Sequence, residues 1–385
     1  MLSFELIFIL AMIATWLLSL ILTPLVRFLS LRVGAVDQPN ARRINTLPMP
    51  SAGGLAVFLS FLIVTTMVLP KITGHIEAPR PYLTYILPVL VGAAIVTFTG
   101  YLDDILEISA KKKMLGIFLA AVIIWGFTDF RFDSFKIPFG GPMLSFGPIL
   151  TFFLTIIWIV SITNAINLID GLDGLVAGVS VISLVTMGIV SYFFLPQVDL
   201  FLTITIFILI AAIMGFFPYN YHPAIIYGGD TGALFIGFMI GVLSLQGLKN
   251  ATAVAVVTPV LILGVPVVDT AVAIVRRKLS GRKISEADKM HLHHRLLAMG
   301  FTHRGAVLVV YGIAILFSLI ALLLNISSRL GGVLLMVGVF FALEVLIEGL
   351  GIWGDNRTPL FNSLKFIGNS DYRQACLKHW HDRKK

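Results

Sequence analysis

Two long apolar runs of the chain meet at the polar stretch Asn164-Ala165-Ile166-Asn167-Leu168-Ile169-Asp170-Gly171-Leu172-Asp173-Gly174-Leu175. Four of its side chains can bind a metal or accept hydrogen bonds, and they recur at every third position. On an α-helix this spacing places neighbours on roughly one face, and a 3₁₀ stretch would align all four. Polar side chains between apolar runs of membrane-spanning type are functional candidates by default, so the stretch predicts a functional site. The four are Asn164, Asn167, Asp170 and Asp173.

A capping role is the simpler interpretation for Asp170 or Asp173, because a carboxylate just before a helix accepts bonds from its first N–H groups. Capping does not account for all four side chains. Two amides and two carboxylates on one short segment suit a hard cation together with a hydrogen-bonded ligand. Gly171 and Gly174 permit a bend or a close approach of the backbone.

The composition predicts an all-α polytopic integral membrane protein. The chain has 385 residues, of which 58% are hydrophobic and 12% are charged, whereas a soluble domain has roughly 25% charged residues. A helix of about 20 apolar residues crosses a bilayer. We expect the first run to be a retained helix rather than a cleaved signal. About eleven apolar segments are predicted, at residues 4–31, 51–70, 82–102, 113–128, 148–167, 174–195, 199–217, 231–248, 252–275, 305–324 and 328–353.

The lysines and arginines are distributed unevenly between the predicted loops. Twenty-one of the 28 fall in the loops after the first, third and ninth segments or in the C-terminal tail. The positive-inside rule therefore predicts an outside N-terminus and a cytoplasmic C-terminus. The net charge of +8 then reflects topology and attraction to anionic lipid, and nucleic-acid binding is not expected. The lone cysteine, Cys376, excludes an intramolecular disulfide and a cysteine metal site.

The other polar motifs fall on the same predicted side of the membrane. Asp103 and Asp104 end the third segment, and adjacent carboxylates can hold Mg²⁺ or act as a general base. A solvated helix end paired with the following lysines is the alternative. Those lysines, Lys111, Lys112 and Lys113, are either topology markers or phosphate ligands. Asp230 follows two glycines before a helix, an arrangement that favours phosphate, with a plain helix cap as the alternative.

The longest predicted cytoplasmic loop, residues 276–304, contains three clustered histidines and an arginine. Ser285 and Asp288 resemble a capping box, which predicts a short helix over about residues 286–299 that Gly300 ends. His291, His294 and Arg295 would share one side of that helix, and His293 lies between them. A zinc site is one interpretation, and donors to a diphosphate are the favoured one.

The remaining titratable groups give weaker signals. Asp269 is predicted inside the ninth segment, where a functional group and a buried structural pair are both compatible with the sequence. His75, His222 and His303 are isolated, and we interpret them as incidental.

Taken together, these motifs resemble the polyprenyl-phosphate N-acetylhexosamine-1-phosphate transferase family, of the glycosyltransferase 4 type. The resemblance covers nearly the whole chain, with four motifs in the same order. The His291-Leu292-His293-His294 form is similar to the bacterial WecA/TagO branch. The muramyl-pentapeptide branch typically has three consecutive histidines and lacks the surrounding run.

The resemblance implies an enzyme of cell-envelope polysaccharide synthesis. It would transfer N-acetylglucosamine-1-phosphate from UDP-GlcNAc to undecaprenyl phosphate, with Mg²⁺ or Mn²⁺ as cofactor. Residues 1–353 would form the transmembrane catalytic domain, and residues 354–385 a basic cytoplasmic tail. The site would face the cytoplasm from the bacterial plasma membrane, and a homodimer is a further expectation. Its loops are placed at about residues 32–50, 103–113, 164–173, 218–230 and 276–304.

The resemblance also implies roles for individual residues. Asp230 and Asn167 would bind the metal, and Asp103 or Asp104 with Lys113 would serve the acceptor phosphate. Asn164 is carried over as substrate-binding, Asp173 as close to the uridine, and Asp170 as essential without an assigned role. The group that would grip the diphosphate and the sugar consists of His291, His293, His294 and Arg295.

Several alternatives remain open at the level of sequence. Direct attack by the lipid phosphate is favoured over a covalent aspartyl-phosphosugar intermediate. Another UDP-N-acetylhexosamine could be the donor. A cation-coupled transporter is the rival class, but carriers place their polar groups near the midplane of paired repeats. No repeat of fixed period is visible in this chain.

Overall fold

The computed structural model describes residues 4–38, 48–73, 81–136, 142–194, 199–247, 260–279, 291–349, 351, 358–368 and 373–374. Apolar runs form helices because a helix satisfies its backbone hydrogen bonds internally, and the core of a bilayer contains no water to satisfy them instead. The first half contains α1 (Phe4–Val33), α2 (Gly54–Ile63), α3 (Leu69–Ile72), α4 (Tyr82–Leu106), α5 (Ala110–Phe127) and α6 (Pro148–Leu168). A π-helical stretch, Val64–Val68, joins α2 to α3.

The described part of the first half also contains two short hairpins, and eight described helices follow the central polar stretch. Four short segments pair as two antiparallel hairpins: β1 (Val36–Asp37) with β2 (Met49–Pro50), and β3 (Ser134–Lys136) with β4 (Met143–Ser145). The remaining helices are α7 (Leu175–Phe193), α8 (Leu200–Asn220), α9 (Gly229–Gly247), α10 (Gly264–Leu279), α11 (Leu292–Ala298), α12 (His303–Ile326), α13 (Arg329–Gly349) and α14 (Pro359–Gly368).

The prediction of an all-α polytopic membrane protein is confirmed. Within the described ranges, nine helical segments are long and apolar enough to cross a membrane. The predicted segment 113–128 corresponds to α5, which carries three lysines in its first turn. The predicted segment 252–275 begins in residues 251–259, which lie outside the described ranges. Eleven spans therefore stay a prediction, as does the division at residue 353.

The chain divides into two compact units. The first comprises Met1–Val267 with His303–Ile326, and the second comprises Val268–Thr302 with Ser327–Lys385. In the second unit, the buried Glu348 carboxylate accepts the backbone N–H groups of Leu360 and Phe361, the latter at 2.8 Å. A carboxylate at this end of α14 also meets the positive end of the helix dipole.

The first unit is built around α9, whose apolar residues are almost all buried. Phe235 packs edge-on against Phe58 of α2, with ring centroids 5.4 Å apart. Small residues allow neighbouring backbones to approach: a Cβ at Gly237 would lie 2.9 Å from the Thr163 Cα of α6. Close packing of α4 and α6 on α9 brings the polar ends of all three helices together.

Candidate active site

Glycines set the approach of α4 to the start of α9. A side chain at Gly100 would overlap the backbone of Asp230 and Thr231. Gly229 has a φ of +68°, in the left-handed region, and a Cβ there would collide with Asp104 and Ser51. The adjacent carboxylates at the end of α4 therefore meet the first turn of α9 directly.

Asp104 is the member of the pair that holds the first turn of α9. Its carboxylate accepts the backbone N–H groups of Asp230 at 2.9 Å and Thr231 at 3.0 Å. The hydroxyls of Thr231 and Ser51 donate to it as well, at 2.5 and 3.0 Å. Helix N-termini leave N–H groups without intrahelical partners, and a carboxylate there satisfies them. These contacts indicate a positioning role for Asp104.

Asp103 instead faces a lysine that it shares with Asp230. The Lys113 ammonium lies 2.5 Å from an Asp103 oxygen and 2.8 Å from an Asp230 oxygen. All three side chains are mostly buried. Lys111 and Lys112 are exposed, because only one of three consecutive residues on α5 can face the carboxylates.

The two asparagines of the central stretch have different partners. The Asn167 amide donates to Asp230 Oδ1 at 2.5 Å, so it joins the cluster of Asp103, Lys113 and Asp230. The Asn164 amide donates to the Val160 carbonyl at 2.8 Å. No described contact joins Asn164 to the cluster.

The predicted common face of the four polar residues is wrong for the two aspartates. Helix α6 ends at Leu168, so Asp170 and Asp173 lie in the loop before α7. The N-cap of α7 is Gly174, with a φ of +76° and no side-chain capping bond. Neither aspartate caps that helix.

Asp170 has an unusual ionisation. Desolvation of its carboxyl raises the pKa of Asp170 to about 7, and the negative charges of Asp230, Asp104 and Asp173 contribute to the rise. With Asp103 included, five carboxylates lie in this part of the site, and Lys113 is the one described lysine that pairs with any of them. The excess of negative charge favours a bound cation.

Asp173 makes its contacts at the other end of the loop. Its Oδ2 lies 2.6 Å from His222 Nδ1 and accepts the Ala224 N–H at 3.1 Å. Its own N–H donates to His303 Nε2 at 2.9 Å. The interpretation of His222 and His303 as incidental is therefore wrong. They lie 49 and 130 residues from Asp173 along the chain, so no spacing pattern in the sequence links them to it.

Three potential metal-ligating atoms of Asp173, His222 and His303 lie within 4.8 Å of one another. Two imidazoles and a carboxylate are typical of a transition-metal site. However, His303 Nε2 already accepts a backbone N–H, which occupies the lone pair that a metal would need. The geometry is that of a hydrogen-bonded network. The third isolated histidine, His75, lies outside the described residues.

The histidine motif belongs to the second unit. His291 precedes α11, and its Nδ1 lies 2.9 Å from Asp269 Oδ2. The Leu292 N–H donates to the other Asp269 oxygen at 3.0 Å. Asp269 and His291 are both buried, so Asp269 forms a buried pair, and this pair orients the motif. The other ring nitrogen of His291 is directed away from the pair.

The remaining members of the motif differ in burial. His293 is buried, whereas His294 and Arg295 are partly exposed. Of the predicted helix over about 286–299, the structure describes only α11, Leu292–Ala298, and Gly300 follows it with a φ of +90°. His291 precedes this helix in an extended conformation, so the prediction that it shares a helix side with His294 and Arg295 is wrong. Ser285 and Asp288 lie outside the described residues.

Fold and site together define a polytopic membrane protein with a buried cluster of carboxylates, an amide and a lysine, suited to a hard cation and an anionic ligand. Residues 86–248 match the sequence profile of glycosyl transferase family 4. A Bacillus subtilis (strain 168) relative, named probable undecaprenyl-phosphate N-acetylglucosaminyl 1-phosphate transferase, is 39% identical over 350 residues. That alignment covers 91% of this chain and 94% of the relative.

Two further relatives carry similar names. A decaprenyl-phosphate N-acetylglucosaminephosphotransferase of Mycolicibacterium smegmatis is 34% identical over 310 residues, 74% of each chain. An undecaprenyl-phosphate alpha-N-acetylglucosaminyl 1-phosphate transferase of Salmonella typhi is 29% identical over 311 residues, 79% of this chain and 81% of the relative. The chain belongs to glycosyl transferase family 4, which confirms the resemblance found in its motifs.

Proposed function

We propose that the protein transfers N-acetylglucosamine-1-phosphate from UDP-GlcNAc to undecaprenyl phosphate and releases UMP. The observation that carries the proposal is the convergence of Asp103, Asn167 and Asp230 around the Lys113 ammonium. The names of the three relatives support the same reaction. The product would begin a cell-envelope polysaccharide.

The reaction requires that two anions meet. An oxygen of the lipid phosphate attacks the phosphorus that carries the sugar, and the bond from that phosphorus to the oxygen shared with UMP breaks. Phosphoryl transfer depends mainly on positioning and charge neutralisation. Lys113 can neutralise one phosphate, and the lipid phosphate is already an anionic nucleophile. Direct attack therefore needs no covalent aspartyl intermediate.

The donor set fits Mg²⁺, or Mn²⁺ in its place. Asp103 and Asp230 offer carboxylate oxygens on either side of one positive charge, and hard divalent cations prefer such oxygens. Asn167 would contribute its amide oxygen after a rotation of its amide group. Bound there, the ion would neutralise the diphosphate and polarise its oxygens. Asp230 and Asn167 are the ligands that we propose first, with Asp103 beside them.

The histidine motif is assigned to the diphosphate and the sugar. The pairing with Asp269 directs His291 Nδ1 and leaves Nε2 for a ligand. His293, His294 and Arg295 extend the same assignment, since imidazole and guanidinium groups bond well to phosphate oxygens.

The membrane arrangement that we propose has eleven spans, an outside N-terminus and a cytoplasmic C-terminus. The bias of lysines and arginines supports it. The site would then lie in the plasma membrane of a bacterial cell and face the cytoplasm, where UDP-sugars are made. The basic tail, residues 354–385, would contact anionic lipid, and the protein would form a homodimer.

A panel of UDP-sugars with purified protein tests the proposed reaction. We expect UMP release from UDP-GlcNAc that requires both undecaprenyl phosphate and Mg²⁺, and that EDTA abolishes. Preferential turnover of UDP-GalNAc or another UDP-N-acetylhexosamine would change the donor but keep the chemistry. No UMP release with any acceptor, together with solute uptake in vesicles, would refute the proposal in favour of a carrier.

The direct mechanism has its own test. A single-turnover reaction with UDP-GlcNAc labelled in the sugar phosphate, without the lipid acceptor, should leave no label on the protein. Labelled aspartate after denaturation would contradict direct attack.

A further inference from the structure

The turn that carries Asp173 is held by side chains from two other helices. The Gly174 N–H donates to Asn220 Oδ1 at 3.1 Å, and the Tyr311 hydroxyl donates to the Gly174 carbonyl at 2.6 Å. Asn220 ends α8 and Tyr311 belongs to α12. These two bonds fix the backbone of the turn and leave the Asp173 carboxylate to be oriented separately.

Two stacked imidazoles orient that residue. The rings of His222 and His303 are nearly parallel, at 16°, with centroids 4.1 Å apart. The His222 carbonyl accepts hydrogen bonds from Arg304 at 3.0 and 3.3 Å. The pair is therefore attached to the start of α12 through both of its members.

The hydrogen bonds assign the protons of the network. Because His303 Nε2 accepts the Asp173 N–H, its proton lies on Nδ1 and the ring is neutral. His222 Nδ1 donates to Asp173 Oδ2, which also accepts the Ala224 N–H. Among the described residues, nothing donates to Asp173 Oδ1. One carboxylate oxygen is held by the protein, and the other remains available to a ligand.

We infer that His222 and His303 are positioning residues for nucleotide recognition, which hold Asp173 in the orientation that meets the base of the donor nucleotide. This inference rests on the proposed function, together with the place near the uridine that the family resemblance implies for Asp173. The free Oδ1 is an acceptor for an N–H group, which uracil carries. Neither histidine contacts the carboxylates of Asp103 and Asp230 in any described bond, so binding depends on them more than the chemical step does.

Paired substitutions separate positioning from packing. His222→Phe keeps a ring for stacking and removes the donor, whereas His222→Asn keeps an N–H group near the place of Nδ1. At the second position, His303→Phe removes the acceptor, and His303→Gln keeps an amide oxygen near the place of Nε2. The measurements are UMP affinity by calorimetry, KM for UDP-GlcNAc, KM for undecaprenyl phosphate, kcat and Tm.

We expect both phenylalanine variants to bind UMP at least about tenfold more weakly. His222→Phe loses a hydrogen bond to the charged Asp173 carboxylate, and His303→Phe loses the acceptor of the Asp173 N–H. KM for UDP-GlcNAc should rise by a similar factor, while KM for the lipid and kcat change less than twofold. The amide variants should recover most of the affinity. Unchanged UMP binding in both phenylalanine variants would overturn the inference.

Other results are equally decisive. If the amide and phenylalanine variants lose Tm and affinity alike, the histidines have a packing role only, and the inference fails. A fall in kcat at constant UMP affinity also contradicts it. These results leave the proposed function intact, whereas wild-type protein that releases no UMP refutes the proposed function itself.

Discussion

The Lys113 ammonium bridges Asp103 and Asp230, and its removal makes a quantitative prediction. Lys113→Met keeps an unbranched side chain one atom shorter and removes the charge. Two carboxylates that shared one cation are then left close together in a mostly buried place. Lys112→Met is the matched control, since Lys112 is exposed in the same turn of α5.

The expected magnitude follows from distance and burial. At 2.8 Å and an effective dielectric constant of about 20, the attraction of one pair is about 6 kcal/mol before desolvation is subtracted. Removing one partner of a buried pair costs about 3–5 kcal/mol, and of an exposed pair about 0.2–1. The side chains here are 10–27% exposed. We therefore expect a destabilisation of about 2–3 kcal/mol, discounted for solvent screening.

Thermal unfolding in detergent and UMP release measure the two consequences. Tm should fall by several degrees, and turnover by about 10²–10³-fold, since a charge near the transferred phosphate is lost. The double variant Asp103→Asn/Lys113→Met should recover much of the Tm and none of the activity. Wild-type Tm and turnover in Lys113→Met would show that the bridge contributes neither to stability nor to catalysis.

Three further predictions test the other groups of the site. Asp230→Asn and Asn167→Ala should each lower turnover by orders of magnitude with Tm retained, and near-wild-type rates at ordinary Mg²⁺ concentration would remove them from the metal site. Asp269→Asn should lower turnover about 10–100-fold through misorientation of His291; an unchanged rate would contradict the orienting role of the pair. The pKa of Asp170 is raised to about 7 in the folded protein. The contribution of this carboxyl to the free energy of unfolding is therefore full below about pH 4 and is lost as pH rises through 7. Asp170→Asn should flatten that decline in Tm, and parallel Tm profiles would show that the raised pKa is not coupled to folding.

The sequence alone determined the class of protein and the residue types of its site. A long apolar run predicts a spanning helix because the free energies of transfer into a bilayer add up over neighbouring residues. The bias of lysines and arginines predicts the orientation because it is likewise a property of each loop by itself. The family motifs are also local, so Asp103, Asn167 and Asp230 could be named before any contact was known. The choice of Lys113 among three lysines came from the family resemblance, and the helix face of α5 supplies its physical reason.

The different contacts of those residues follow from the tertiary structure alone. Asp103 and Asp104 are adjacent in sequence, yet the approach of α4 to α9 gives one to Lys113 and the other to the start of α9. The regular three-residue spacing predicted one common face for Asn167 and Asp173. Because α6 ends at Leu168, Asn167 lies on the helix and Asp173 lies in the loop after it. His222 and His303 reach Asp173 because helices packed from distant parts of the chain bring them there. Contacts of that kind depend on close packing in three dimensions, which no local pattern in the sequence encodes.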